Sequence, residues 1–270
     1  MNYFINYANN TYKNAQKYSA KCAKAFNLFD HIIEYSEQSI SNKFREKNSS
    51  ILNVDRGAGL WLWKPYIIEQ TFRRMSDGDV LFYADSGSHF IKSPEPLISL
   101  VDDYSTDVVC FEMEDLRKEA FYTKRDAFHY LNCDDPQIAQ SNQRLGGFII
   151  LKKTPKTVRF VKEYLSHCCD ERIISDNANV CGLKNYEGFI EHRHDQSVFS
   201  LLSKKYKFQA FRDPSQWGND RILEYNNSSY PQIIELTRSK NPKQATLRYS
   251  IKMKIKSLFR ILWDKSKLQP

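Results

Sequence analysis

The run Val80-Leu81-Phe82-Tyr83-Ala84, closed by Asp85-Ser86-Gly87, constrains this chain more than any other segment. Five apolar side chains in unbroken succession suit a central strand covered on both faces, not a half-exposed one, which would alternate. Similar runs recur at 107–112 (DVVCFE) and 146–151 (GGFIIL), and shorter strands are expected at 3–7, 29–35 and 208–211. Between them lie segments with helical spacing: 12–27, 36–47, the stretch opened by Lys64-Pro65, 124–131, 157–168 and 195–206. Pro65 suits a first helical turn, where no backbone N–H is needed. Strands alternating with helices predict an α/β fold: one domain over 1–235 with a mainly parallel central sheet flanked by helices.

Charge divides the chain at the same boundary. Residues 236–270 hold ten Lys/Arg and one acid, Asp264, whereas the preceding 235 residues carry 30 basic and 31 acidic side chains. A near-neutral body argues against nucleic-acid binding, which needs basic side chains on the body's own surface. In the tail, Ile251, Ile255, Leu258 and Leu262 share one helical face with Phe259 and Trp263, and Lys252, Lys254, Lys256 and Arg260 line the rest. The expected element is a C-terminal amphipathic helix that binds an anionic membrane surface; docking on the body or on a partner subunit is the other reading. No export signal and no apolar stretch of membrane-spanning length is visible, so a cytoplasmic protein, peripheral on the inner face of the cell membrane, is expected. The six cysteines show no CxxC spacing, which fits reduced thiols.

In open α/β sheets, ligands bind beyond the carboxyl ends of the strands. Asp85 and Ser86 therefore become candidates for nucleotide or cation contact. The segment RGAGLWLWKPY (56–66) offers Arg56 and Lys64 as partners for phosphate charge and Trp63 as a stacking ring; the tryptophans can equally be core anchors. In EHRHDQSVFSLL (191–202), His192, His194, Asp195 and Gln196 cluster at a helix start, where Asp195 is either a functional carboxylate or an N-cap. Lys124, Arg125 and Asp126 open another helix. Asn142, Gln143, Gly146 and Gly147 precede a strand and are candidates for acceptor or sugar contact.

Six stretches, RGAGLWLWKPYII, GDVLFYADSG, TKRDAF, NQRLGGF, YEGFIEHRHDQSVFSLLSKKY and FRDPSQWGN, occur in this order over about residues 3–220. Together they resemble a family of bacterial glycosyltransferases from surface-polysaccharide gene clusters, with relatives in some large viruses. The resemblance implies a GT-A-like fold and transfer of a sugar from a nucleotide sugar, expected to be a UDP-sugar, to a saccharide or lipid-linked saccharide in capsule or lipopolysaccharide synthesis. It places Asp85 at the metal- and nucleotide-binding DxD position; by residue type, His194 is the candidate to complete a shell with Asp85 for a divalent cation (Mn2+ or Mg2+). Gly87 stands where the second aspartate belongs. Lys124 and Arg125 fall on the donor side, and Asp195 and Asp126 are the candidate catalytic carboxylates. A nucleotidyltransferase, or an inactive glycan-binding scaffold on the same fold, are the alternatives, and inversion or retention of the anomeric centre stays open.

Overall fold

The computed structural model describes residues 1–113 and 117–242. The amphipathic segment expected at 246–264 lies outside the described residues. Six strands form the central sheet: β1 (Asn2–Tyr7), β2 (His31–Tyr35), β3 (Val80–Ala84), β5 (Val108–Glu112), β6 (Phe148–Lys152) and β7 (Ala210–Arg212). Their order is β2-β1-β3-β6-β5-β7. The pairs β1–β2, β1–β3 and β5–β7 are parallel, whereas β6 runs antiparallel to both its neighbours. The sheet is thus mainly parallel with one reversed strand inside it. Two three-residue strands that the sequence reading missed, β4 (Ser88–Phe90) and β8 (Ile234–Leu236), pair antiparallel beside it.

The apolar runs divide by period two, as a sheet buried on both faces requires. Leu81 and Tyr83 of β3, Ile5 of β1 and Ile149 and Leu151 of β6 belong to one core, shared with the helices Trp63–Phe72, Pro155–Cys168 and His194–Lys205. Phe4, Phe82, Phe148 and Ile150 point to the other face, packed with Phe90, Leu97, Leu100 and Ile234. The helix Pro155–Cys168 starts on a capping box, Thr154 with Thr157, with proline in its first turn. Among the described residues, no helix is long and apolar enough to cross a membrane. The packed body continues past residue 235: the Thr237 and Arg238 N–H groups both donate to the Gly87 carbonyl, at 3.0 and 3.1 Å.

Candidate functional site

Because β1, β3, β5 and β7 run parallel, they end at one edge of the sheet, and reversed β6 begins there. That edge opens into a cleft of about 860 Å3. Tyr7-Ala8-Asn9, Asp85-Ser86-Gly87, Met113 and Asp213 line it from strand ends, and Gly146-Gly147-Phe148 from the entry to β6. The helix start Arg193–Gln196 and the loop carrying Arg56, Trp61 and Trp63 close the other side.

The chemistry of the cleft centres on Lys64, from the first turn of Trp63–Phe72. Its Nζ lies 2.8 Å from Asp195 Oδ2 and 3.6 Å from Asp85 Oδ1, and donates to the Gly146 carbonyl at 2.9 Å. The Lys64 and Asp195 side chains are 3% and 4% exposed, whereas Asp85 keeps 39%. Both carboxylates have a phenol as second partner: Tyr83 donates to Asp85 at 2.5 Å and Tyr164 to Asp195 at 3.1 Å. Burial raises the Asp195 carboxyl pKa from its ordinary value, against the opposing pull of Lys64. Burial likewise works against the Lys64 ammonium, but Asp195 and Asp85 together outweigh it and hold its pKa above the usual lysine value. The site therefore contains a fixed ammonium between two carboxylates, one buried and one facing the cleft.

Asp195 is not an N-cap. The capping position is Arg193, and Asp195 sits in the first turn, where an acid is favoured by the helix dipole. Gln196 is locked by its neighbours: its Oε1 accepts from Gly146 N–H at 3.0 Å and its Nε2 donates to Gln143 Oε1 at 2.7 Å. The Gly146-Gly147 pair permits this closeness. A Cβ on Gly146 would lie 3.0 Å from Gln196 Cβ, and one on Gly147 3.4 Å from Asp85 Oδ2. Ser86 is turned inward, its hydroxyl donating to Tyr7 O at 2.5 Å. The two readings of the tryptophans merge: Trp63 is buried against Tyr7, ring centroids 3.9 Å apart, and Trp61 stacks on His194, while all four line the cleft.

Arg56 reaches across the mouth to Asp176 and Glu191, 3.3 Å from each, with about half of its side chain exposed. It is carried by a turn in which residues 57–61 all have positive φ, Ala58, Leu60 and Trp61 included. Left-handed conformation in non-glycine residues costs about 1–2 kcal/mol each, and such strain clusters at ligand clamps.

Several candidates stand elsewhere. Asp126 is fully buried and accepts from the Val180 and Cys181 N–H groups at about 3.0 and 2.9 Å, so it holds the loop 176–185 and lines neither cavity. Its pKa is lowered, burial being outweighed by these hydrogen bonds and Lys124. Arg125 pairs with Asp134 at 3.0 Å and lies over the Tyr186 ring, also outside the cleft. Lys124 is buried on the Asn177 carbonyl and, with His192, lines a second cavity of about 300 Å3 that shares Arg56 and Glu191 with the cleft. His192 accepts from Lys124 N–H through Nδ1, and burial, then His194 and Lys124, push its pKa well down, so it is neutral. Asn142 takes Lys118 and Lys204 as partners away from the cleft, and buried Gln143 braces Gln196 from behind. Sequence reasoning missed Tyr83, Tyr164, Asn9 and Arg238, which carry no local signal. Asn9 Oδ1 is buried at the cleft without a hydrogen-bond partner.

The donor set does not fit the expected divalent cation. Asp85 Oδ1 is taken by the Tyr83 phenol and faces an ammonium at 3.6 Å. His194 turns Nδ1 to the Ile174 carbonyl at 2.8 Å and leaves Nε2 without a hydrogen-bond partner, 3.7 Å from Asp176 Oδ2, but among the described residues no three His, Cys, Asp or Glu side chains gather as a metal shell. All six cysteines are free thiols.

No family model and no curated protein matches the sequence. Among solved structures, the chain is similar to mouse xyloside xylosyltransferase 1, with 10% identity, 87% of this chain and 97% of that chain covered, and a TM-score of 0.47. It is similar to the galactosyltransferase LgtC bound to donor and acceptor sugar analogues, with 11% identity, coverage of 87% and 86%, and a TM-score of 0.46. A glycosyltransferase involved in glycosylation of the major capsid of PBCV-1 shares 10% identity over 91% of this chain and 98% of its own, with a TM-score of 0.46. The solved structures to which this chain is similar in fold include GT-A glycosyltransferases.

Proposed function

We propose that the protein is a nucleotide-sugar-dependent glycosyltransferase, moving a sugar from a nucleoside diphosphate donor, UDP being the expected nucleotide, to a saccharide acceptor. The observation that carries this reading is the cleft at the strand ends, where a buried carboxylate, Asp195, sits on a rigid helix start beside cationic and amide groups. Its volume of about 860 Å3 falls within the roughly 300–1,000 Å3 of small-molecule sites. Part-exposed Tyr12 and Trp217 offer ring faces to a base or sugar, and the unpartnered Asn9 oxygen awaits an N–H or O–H donor.

Glycosyl transfer builds positive charge on the sugar and negative charge on the leaving diphosphate. Asp195 is the carboxylate for the first, held in place by Lys64 and Tyr164. Arg56 and Arg193, which hold Glu191 between them, are the guanidinium donors at the cleft wall for the second. Gln196, fixed by Gly146 and Gln143, is the amide for a sugar hydroxyl. A lipid-linked saccharide acceptor in surface-polysaccharide synthesis would account for membrane placement by the basic segment beyond residue 242.

Calorimetric titration with UDP-, GDP- and CMP-sugars tests the reading, and failure of all three to bind would sink it. Flotation with anionic liposomes of the full chain and of a chain cut after residue 242 tests the tail: equal binding by both contradicts the anchor.

A further inference from the structure

Gly87 breaks the metal-binding pattern for a reason visible in the backbone. A Cβ there would lie 3.2 Å from Arg238 Cα, because the chain leaving β8 packs onto the Asp85-Ser86-Gly87 turn. Thr237 and Arg238 both donate to the Gly87 carbonyl, and Arg238 adopts φ of 48°, a left-handed conformation that a non-glycine residue holds only when its surroundings impose it. This arrangement brings Arg238 into the cleft wall beside the strand end. The Lys64 ammonium stands 3.6 Å from Asp85 Oδ1, itself buried and satisfied by Asp195 and the Gly146 carbonyl. The second carboxylate of a metal motif is thus exchanged for a glycine, and the glycine admits an arginine.

We propose that Lys64 and Arg238 are resident cations in place of a divalent ion: Lys64 neutralises Asp85 and Asp195, and Arg238 meets the donor diphosphate. The inference rests on the transferase reading and adds to it how the diphosphate is held. Three physical points support it. A divalent ion against Asp85 would stand within a few ångströms of a fixed ammonium, and like charges at that range in a partly buried site repel strongly. The ammonium cannot swing away without leaving the Asp195 carboxylate buried with only the Tyr164 phenol as partner. A guanidinium presents paired donors that match phosphate oxygens. Arg238 is therefore a binding residue and Lys64 a positioning residue that acts through Asp85 and Asp195.

Two measurements on the full chain test this. Mn2+ is titrated into the protein and its free-ion electron paramagnetic resonance signal compared with a protein-free control, both with and without UDP. The two curves are expected to coincide; stoichiometric, protein-dependent loss of signal overturns the proposal. UDP affinity is then measured by calorimetry in EDTA. Binding is expected to persist there, to weaken about tenfold or more in Arg238→Ala, and to recover in part in Arg238→Lys, with the urea midpoint of unfolding unchanged in both. UDP binding that requires Mn2+, or that is indifferent to Arg238→Ala, refutes the resident cations alone. Absence of any nucleotide binding in either condition removes the transferase reading and this inference with it.

Discussion

Replacing Lys64 with methionine keeps most of the side-chain volume and deletes the charge. Asp195, 4% exposed, is then left with only the Tyr164 phenol at 3.1 Å, and the Gly146 carbonyl loses its ammonium partner. Removing one member of a buried ion pair costs about 3–5 kcal/mol, most of it the penalty of stranding the other charge. Lys64→Met should therefore lose about 3–5 kcal/mol at neutral pH. The sign of the pH dependence follows from Asp195. Burial already raises its pKa, and Lys64 opposes the rise, so without Lys64 the carboxyl takes up a proton at higher pH. The penalty is full above that pKa and shrinks as pH falls through it. Neutralising both partners should be cheaper than stranding one, so Asp195→Asn in the Lys64→Met background should recover about 2 kcal/mol. Urea unfolding of the four proteins at neutral and mildly acidic pH, read as midpoints at constant slope, gives the cycle. A loss under about 1 kcal/mol, or a coupling under about 0.5 kcal/mol, would refute the claim that this pair organises the cleft.

Asp213 makes a second pH prediction. Burial pushes its carboxyl from an ordinary value of 3.8 up to about 6, against hydrogen bonds from Ser215. The folded state thus holds this proton to higher pH than the unfolded chain, and stability falls as pH rises between these values, by on the order of 3 kcal/mol. The stability difference between Asp213→Asn and the parent should grow by that amount from below pH 4 to above pH 6; a constant difference contradicts it. Gly87→Asp, which writes in the missing carboxylate, should push the 237–238 backbone off the turn at a cost of about 1–3 kcal/mol. It should create no Mn2+ site, and tight Mn2+ capture by this variant would show that Lys64 does not control the charge there.

The parts of the fold that were legible are those written in local pattern. The unbroken run 80–84 is β3 over the same residues, and Asp85 falls at its carboxyl end as expected. The reversal of β6 was not legible, because GGFIIL looks alike in either direction; direction is set by where the chain returns, not by side-chain period. β4 and β8, three residues each, are too short for an alternation to register. Lys64, Asp85, Asp195 and Gln196, singled out in the sequence, line one cleft, but Lys64 was read as a phosphate cation. Only the meeting of Trp63–Phe72, β3 and His194–Lys205 puts its ammonium between two carboxylates. Asp126 misled for a similar reason: an acid at a helix start looks free in sequence, and the Val180 and Cys181 N–H groups that occupy it come from a loop far along the chain.

Release of nucleoside diphosphate from a nucleotide sugar that binds, compared between the parent chain and Asp195→Asn, decides whether Asp195 serves a sugar transfer. The parent should turn over, and the variant should lose about a hundredfold or more in kcat with donor affinity little changed. Near-normal turnover by Asp195→Asn, or no turnover by the parent with any bound donor, would contradict it.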